Sequence, residues 1–151
     1  MKRVRIQSER FDAGHELTPL TQSGAGAVAS FTGIARADLR DDVAVVAIEL
    51  EHYPAMTLSS LERLVAEAEA RWDLTDAMII HRVGRIEVGE EIVLVATSSS
   101  HRKNALEACT FLIDRLKTDT PFWKKEYYAD GRAIWVDAKE SDEAAARHWL
   151  S

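Results

Sequence analysis

The residues best suited to chemistry are the basic side chains clustered in residues 98–126. His101 and Arg102 follow an apolar strand and open a predicted helix, and Lys117 lies near the end of that helix. The free N–H groups and the dipole of a helix N-terminus favour an anion, and two cations there would add to the attraction. Lys124 follows in an aromatic strand, where desolvation would favour its neutral, nucleophilic form. We therefore expect an anion-binding or proton-transfer site in this stretch.

Each of these residues also has a purely structural interpretation. His101 and Arg102 could be solvated side chains in the first turn of a serine-capped helix, and Lys117 could simply complement the negative end of the helix dipole. Arg36 leaves a predicted strand just after Gly33, which permits close backbone approach. It could clamp an anion, or it could be a loop arginine in water.

The composition limits the classes of function. The chain has 151 residues, 46% of them hydrophobic, and a formal net charge of −6. We expect one domain over residues 1–151, and the acidic balance argues against a general nucleic-acid binder. The single cysteine, Cys109, lies on the apolar stripe of a predicted helix and is assigned to the core. No apolar run is long enough to span a membrane, and we expect a cytoplasmic protein. The five histidines lack the spacing of metal ligands, so we predict no metal.

The hydrophobic pattern predicts alternating strands and helices along the chain. Short elements come first, including a helix within residues 11–22 with Asp12 as its N-cap. The main elements are a strand at 43–53, a helix at 54–72, a strand at 78–86, a hairpin turn at 88–90, a strand at 92–97 apolar on both faces, a helix from about 101 and strands at 122–128 and 133–136. A short helix is predicted at 142–149. The order β-α-β-β-α-β over residues 43–128 predicts an α+β fold, with a mostly antiparallel sheet and helices packed on one face.

Helix and strand geometry restricts which basic residues can meet. In a strand, alternate side chains share a face, so Lys124 and Glu126 would lie on one face and Lys125 on the other. His101 and Lys117 are sixteen residues apart, roughly 24 Å along a helix. The two ends therefore cannot line one small pocket within a chain. If both act in one site, a symmetric dimer must bring His101 and Arg102 of one chain to Lys117 and Lys124 of the other.

Five motifs together resemble a known family. They are SFTGIAR (residues 30–36), LEHYPAM (50–56), HRVGRIEVGE (81–90), SSHRKNA (99–105) and LKTDTPFWKKE (116–126). They occur in the order seen in the catalytic, large subunit of molybdopterin synthase, and the resemblance covers nearly the whole chain. It implies an α+β fold of the α/β-hammerhead type.

The resemblance also implies a reaction and its partners. The family transfers sulfur from the C-terminal Gly-Gly thiocarboxylate of a small ubiquitin-like subunit to cyclic pyranopterin monophosphate, giving the dithiolene of molybdopterin. It assembles as a homodimer of large subunits with one small subunit at each end, a heterotetramer. No cofactor is implied. The chemistry suits basic residues, because cations would stabilise an oxyanion and the phosphate.

Carried over residue by residue, the family's basic pocket includes both lysines as catalytic groups. Lys117 would lie near the thiocarboxylate carbonyl and the substrate carbon, and Lys124 would assist proton transfer or bind phosphate. The residues implied in substrate binding are Arg36, His101, Arg102, Lys125, Glu126 and Lys139. Among these, Lys125 and Glu126 would act through backbone, and Lys139 stands where the family can bring a basic residue to the site.

Two other functions remain open from the residues alone. One is a non-catalytic dimeric module that binds a phosphorylated small ligand in the same basic pocket. The other is a small acyltransferase with a lysine nucleophile, which would need no protein partner.

Overall fold

The structure is a computed structural model, and it describes residues 3–120 and 122–136. Within these residues the chain forms three helices and nine strands. The helices are α1 (Ala13–Thr21), α2 (Pro54–Arg71) and α3 (Arg102–Asp119). The strands are β1 (Val4–Gln7), β2 (Ala27–Ile34), β3 (Leu39–Arg40), β4 (Val43–His52), β5 (Asp76–Arg82), β6 (Gly84–Glu87), β7 (Glu91–Ser99), β8 (Phe122–Tyr128) and β9 (Ala133–Val136).

The strands form two sheets. The first has the order β1-β5-β7-β2, and the second has the order β3-β4-β8-β9, with β6 also paired to β4. Only β1 and β5 pair in parallel among the described strands. The expected α+β class with mostly antiparallel strands is confirmed.

The first sheet is covered on both faces. Val93 and Val95 of β7 pack in a core with α2 and α3, whereas Leu94 and Ala96 pack in a second core that includes Leu20 of α1. The prediction of a central strand apolar on both faces is therefore confirmed. The expectation that all helices cover one face is wrong for α1, which lies on the opposite side.

One predicted strand is two strands in different sheets. The strand expected at 78–86 is interrupted at Val83, which belongs to neither strand. The next residue, Gly84, has a φ of 77°, a conformation that residues with a side chain rarely adopt. β5 then belongs to the first sheet and β6 to the second. The turn at 88–90 likewise joins strands of different sheets rather than a hairpin, and its Gly89 has a φ of 93°. The β-α-β-β-α-β core is thus divided between two sheets.

The predicted helices agree well with the structure. Asp12 caps α1 by accepting a hydrogen bond from the backbone of His15, and Pro54 opens α2. The apolar side chains Leu61, Leu64 and Val65 of α2 are buried, whereas Leu58 is exposed. The predicted helix at 142–149 lies outside the described residues. Within them, none of the helices combines the length and apolar character that crossing a bilayer requires.

Candidate functional site

A cavity of about 480 Å³ lies where the C-terminal end of α3 meets β8 and the end of β2. We call it the basic cavity. One part of its lining is apolar: Phe31, Ile34, Ala35, Ile48, Leu50, Ile92, Val93, Leu116 and Phe122. The polar part is Thr32, Arg36, Asp38, His81, Lys117, Thr120, Lys124 and Glu126. Gly33 completes the lining. Three cations within a lining that is half apolar suit a small, partly apolar ligand that carries an anionic group.

Four of the predicted site residues line the basic cavity together. Lys117 lies in the last turn of α3, where a cation also complements the helix dipole. Lys124 and Glu126 come from β8 and share one face of it, as strand alternation predicts. Arg36 follows β2 directly. Segments distant in sequence thus bring three basic side chains to one volume.

Glu126 is the buried anion of this group, with a side chain only 5% exposed. Its Oε1 accepts hydrogen bonds from Arg40 at 2.8 Å and from Tyr128 at 2.7 Å, and Lys124 Nζ lies 4.0 Å from Oε2. Burial opposes ionisation of this carboxyl, but these hydrogen bonds and charges outweigh it and lower its pKa. Glu126 therefore ties β3, which carries Arg40, to β8 and holds a negative charge beside Lys124.

Arg36 lies at the exposed edge of the basic cavity. Its side chain is 67% exposed, and its Nε is 3.5 Å from a carboxylate oxygen of Asp38. Exposed ion pairs of this kind are weak, so a ligand phosphate could replace Asp38 as the partner of the guanidinium at little cost.

Of the other predicted residues, the described ones, His101, Arg102 and Lys125, do not line the basic cavity. His101 is the N-cap of α3 and makes no side-chain capping hydrogen bond, and both it and Arg102 are exposed at the end of α3 opposite Lys117. Lys125 lies on the other face of β8, where its Nζ is 5.4 Å from the Tyr127 ring centroid. Lys139 lies outside the described residues.

His81 lines the basic cavity but was not among the predicted site residues. It is 4% exposed, and its ring stacks on Phe122 with the centroids 4.0 Å apart. Its Nδ1 is 2.7 Å from the backbone oxygen of Arg82. Burial lowers the pKa of His81 to about 4, the positive charge of Lys117 contributes, and the bond to Arg82 partly offsets both. The ring is therefore neutral at physiological pH. In the sequence, the position of His81 near the end of an apolar strand was the one signal that this histidine is buried.

Cys109 is a core residue, as predicted. It is buried, and burial raises the pKa of its thiol to about 11. A thiol of this kind is a poor nucleophile, so the chemistry of the site falls to its amines and its guanidinium.

The fold and the basic cavity together define a class: a two-sheet α+β protein with a cationic pocket for a small anionic ligand. The model of the family described as MoaE protein matches residues 6–119 of this chain. The chain belongs to the MoaE protein family.

Relatives agree with this assignment. The molybdopterin synthase catalytic subunit of Ralstonia nicotianae is 48% identical over 151 residues, which cover 99% of this chain and 85% of that protein. The solved structure of the molybdopterin biosynthesis MoaE protein from Burkholderia ambifaria is similar to this chain with a TM-score of 0.81 and 47% sequence identity. The match covers 99% of this chain and 98% of the Burkholderia chain.

A more distant structure shares the fold. It is a complex of subunits 1 and 2 of molybdopterin-converting factor from Helicobacter pylori, with a TM-score of 0.75, 23% identity and 92% of each chain covered. These likenesses confirm the fold class that the motifs imply.

Proposed function

We propose that this protein is the catalytic subunit of a molybdopterin synthase. It is an enzyme of molybdenum cofactor biosynthesis that converts cyclic pyranopterin monophosphate to molybdopterin. Sulfur comes from the C-terminal thiocarboxylate of a small ubiquitin-like partner subunit. The observation that carries the proposal is the basic cavity itself, in which Lys117, Lys124 and Arg36 meet in a chain of the MoaE family. We place the enzyme in the cytoplasm, together with the small subunit and the pterin substrate.

The two lysines are the proposed catalytic groups. The thiocarboxylate sulfur attacks a side-chain carbon of the pterin and displaces an oxygen substituent, which joins the partner's tail to the substrate through a thioester. Water hydrolyses this thioester to a carboxylate on the tail and a thiol on the substrate, and a second transfer supplies the other sulfur. Negative charge develops on the carbonyl oxygen in that hydrolysis, and a nearby ammonium stabilises it. Lys117 takes this role. Lys124, beside the buried carboxylate of Glu126, transfers a proton or binds phosphate.

The proposed phosphate and pterin contacts come from arginine and histidine. Arg36 can present two parallel N–H donors to a phosphate, a geometry that lysine lacks. His101 and Arg102 complete the site from a second copy of this chain, because α3 separates them from Lys117 by its full length. The assembly is then a homodimer of this chain with one small subunit at each end, and Lys139 remains a candidate basic contact.

Reconstitution tests the proposal. The purified chain is mixed with cyclic pyranopterin monophosphate and a small subunit that carries a C-terminal thiocarboxylate, and dithiolene formation is followed. The matched control is the same small subunit with an ordinary carboxylate. We expect dithiolene only with the thiocarboxylate. Equal product with both forms, or none with either, would remove the proposed function.

A further inference from the structure

Two buried, uncharged polar side chains of the basic cavity have no task in the proposed sulfur transfer. They are His81 on β5 and Thr120, which follows the last residue of α3. Thr120 is 7% exposed. Its buried Oγ1 has no hydrogen-bond partner among the described residues. A buried hydroxyl without a partner is costly to a folded protein, so its presence in a cavity wall points to a ligand that completes it.

Phe122 contacts both of these residues. Its ring stacks on the His81 ring, and its backbone N–H donates a 3.0 Å hydrogen bond to the backbone oxygen of Thr120. One residue of β8 therefore contacts His81 through its ring and Thr120 through its backbone. That residue also lies two positions before Lys124, on the same strand face.

The chemistry of the pair is complementary. The backbone oxygen of Arg82 can only accept a hydrogen bond, so the proton of the neutral His81 ring is on Nδ1. Nε2 is then an acceptor, whereas the hydroxyl of Thr120 can donate or accept. The cations of the basic cavity are donors only. Nε2 of His81 is thus a neutral hydrogen-bond acceptor in a cavity whose cationic side chains bind anions.

We propose that His81 and Thr120 form a neutral subsite for an amide edge, meaning an N–H donor next to a carbonyl acceptor. His81 Nε2 accepts from the N–H, and the Thr120 hydroxyl donates to the carbonyl oxygen. The inference rests on the proposed function for the identity of the ligand. The lactam edge of the pterin ring is the source that we favour, because the cations beside the subsite can hold the phosphate of the same molecule. A backbone amide of the partner's tail offers the same chemistry.

Thr120→Val tests the subsite, since valine keeps the shape and removes the hydroxyl. Thr57→Val is the matched control: Thr57 Oγ1 is also buried without a partner among the described residues, but it lies on α2 outside the basic cavity. Neither change removes a hydrogen bond between described residues, so both variants should unfold at the same or a higher urea concentration than the wild type. Calorimetric titration should show a Kd for cyclic pyranopterin monophosphate weakened roughly fivefold in Thr120→Val alone.

Titration with the carboxylate form of the small subunit distinguishes the two sources. A loss of affinity for the pterin alone assigns the subsite to the lactam edge, and a loss for the small subunit alone assigns it to the tail. If Thr120→Val behaves like Thr57→Val in both titrations, the inference is wrong, while dithiolene formation by the wild type would leave the proposed function intact. A wild-type chain that neither binds the pterin nor forms dithiolene would remove both.

His81 variants give a second, independent measurement. Glutamine can place an acceptor oxygen near the position of Nε2, whereas phenylalanine keeps the stacking on Phe122 and has no acceptor. We expect His81→Phe to raise KM for the pterin roughly tenfold and His81→Gln to restore part of the loss, with smaller effects on kcat. Equal KM values for both variants and the wild type would contradict the role of Nε2.

Discussion

At the scale of single residues, the basic cavity combines three cations with one buried anion and one neutral imidazole. The strand alternation of residues 122–128 was enough to predict that Lys124 and Glu126 share a face and that Lys125 does not. It could not identify His81. The neutrality of that ring depends on burial and on stacking against Phe122, which sequence spacing does not report.

The depressed pKa of His81 makes a prediction about stability and pH. In the unfolded chain this histidine takes up a proton near pH 6.5, but in the folded protein only near pH 4. Between these values the unfolded state binds more protons, so the free energy of unfolding falls as the pH is lowered from 6.5 to 4. The contribution of His81 to that fall is about 3 kcal/mol.

Urea unfolding of the wild type and His81→Gln across this pH range measures the contribution. Carboxylates titrate in both proteins, so the difference between the two curves isolates the histidine. The wild type should lose stability more steeply than the variant. Parallel curves would show that His81 titrates normally in the folded protein.

At the scale of helices and strands, local signals predicted most of the architecture. The proline at position 54, the capping aspartate at position 12 and the apolar stripes were sufficient for the helices. Periodicity says that a segment is a strand but not which sheet it joins, and so the passage from β5 to β6 was missed. Positive φ at Gly84 changes the chain direction there.

Gly26 supports the junction between β2 and the start of α3. A Cβ at this position would lie 2.2 Å from the backbone oxygen of Ser100, which is far below any real contact. We expect Gly26→Ala to destabilise the protein by about 1–3 kcal/mol, because two backbone segments would have to move apart. Chemical denaturation measures the change.

Gly14→Ala is the control for this prediction. Gly14 lies in α1, where the nearest atom to an added Cβ is Asp12 Oδ1 at an ordinary 3.4 Å. Alanine favours helix over glycine, so this variant should be as stable as the wild type or more stable by up to about 1 kcal/mol. Equal effects of the two substitutions would mean that the contact with Ser100 does not matter.

At the scale of the whole molecule, the length of α3 divides the predicted site. Lys117 lies at the basic cavity, whereas His101 and Arg102 lie at the other end of the helix. The sequence predicted this separation from helix rise alone. Sequence and single-chain structure leave open which surface a second copy uses, because that depends on the shape and charge of an interface between chains.

A mixed dimer tests the shared site. We expect a chain carrying His101→Ala and a chain carrying Lys117→Ala to be nearly inactive separately. When the two are unfolded and refolded together, the mixed dimer would contain one intact site, and about a quarter of the wild-type activity should return. No recovery, with dimer formation verified by size, would contradict a site shared between chains.

The central claim is that the basic cavity carries out sulfur transfer, and Lys117→Ala tests it most directly. Single-turnover dithiolene formation is measured for the wild type, Lys117→Ala and Arg63→Ala, with pterin binding measured in parallel. Arg63 is an exposed cation of α2 outside the basic cavity. We predict a rate roughly 10²–10⁴-fold lower for Lys117→Ala, with most pterin affinity retained and an unchanged rate for Arg63→Ala. A Lys117→Ala chain that forms dithiolene at the wild-type rate would contradict the account.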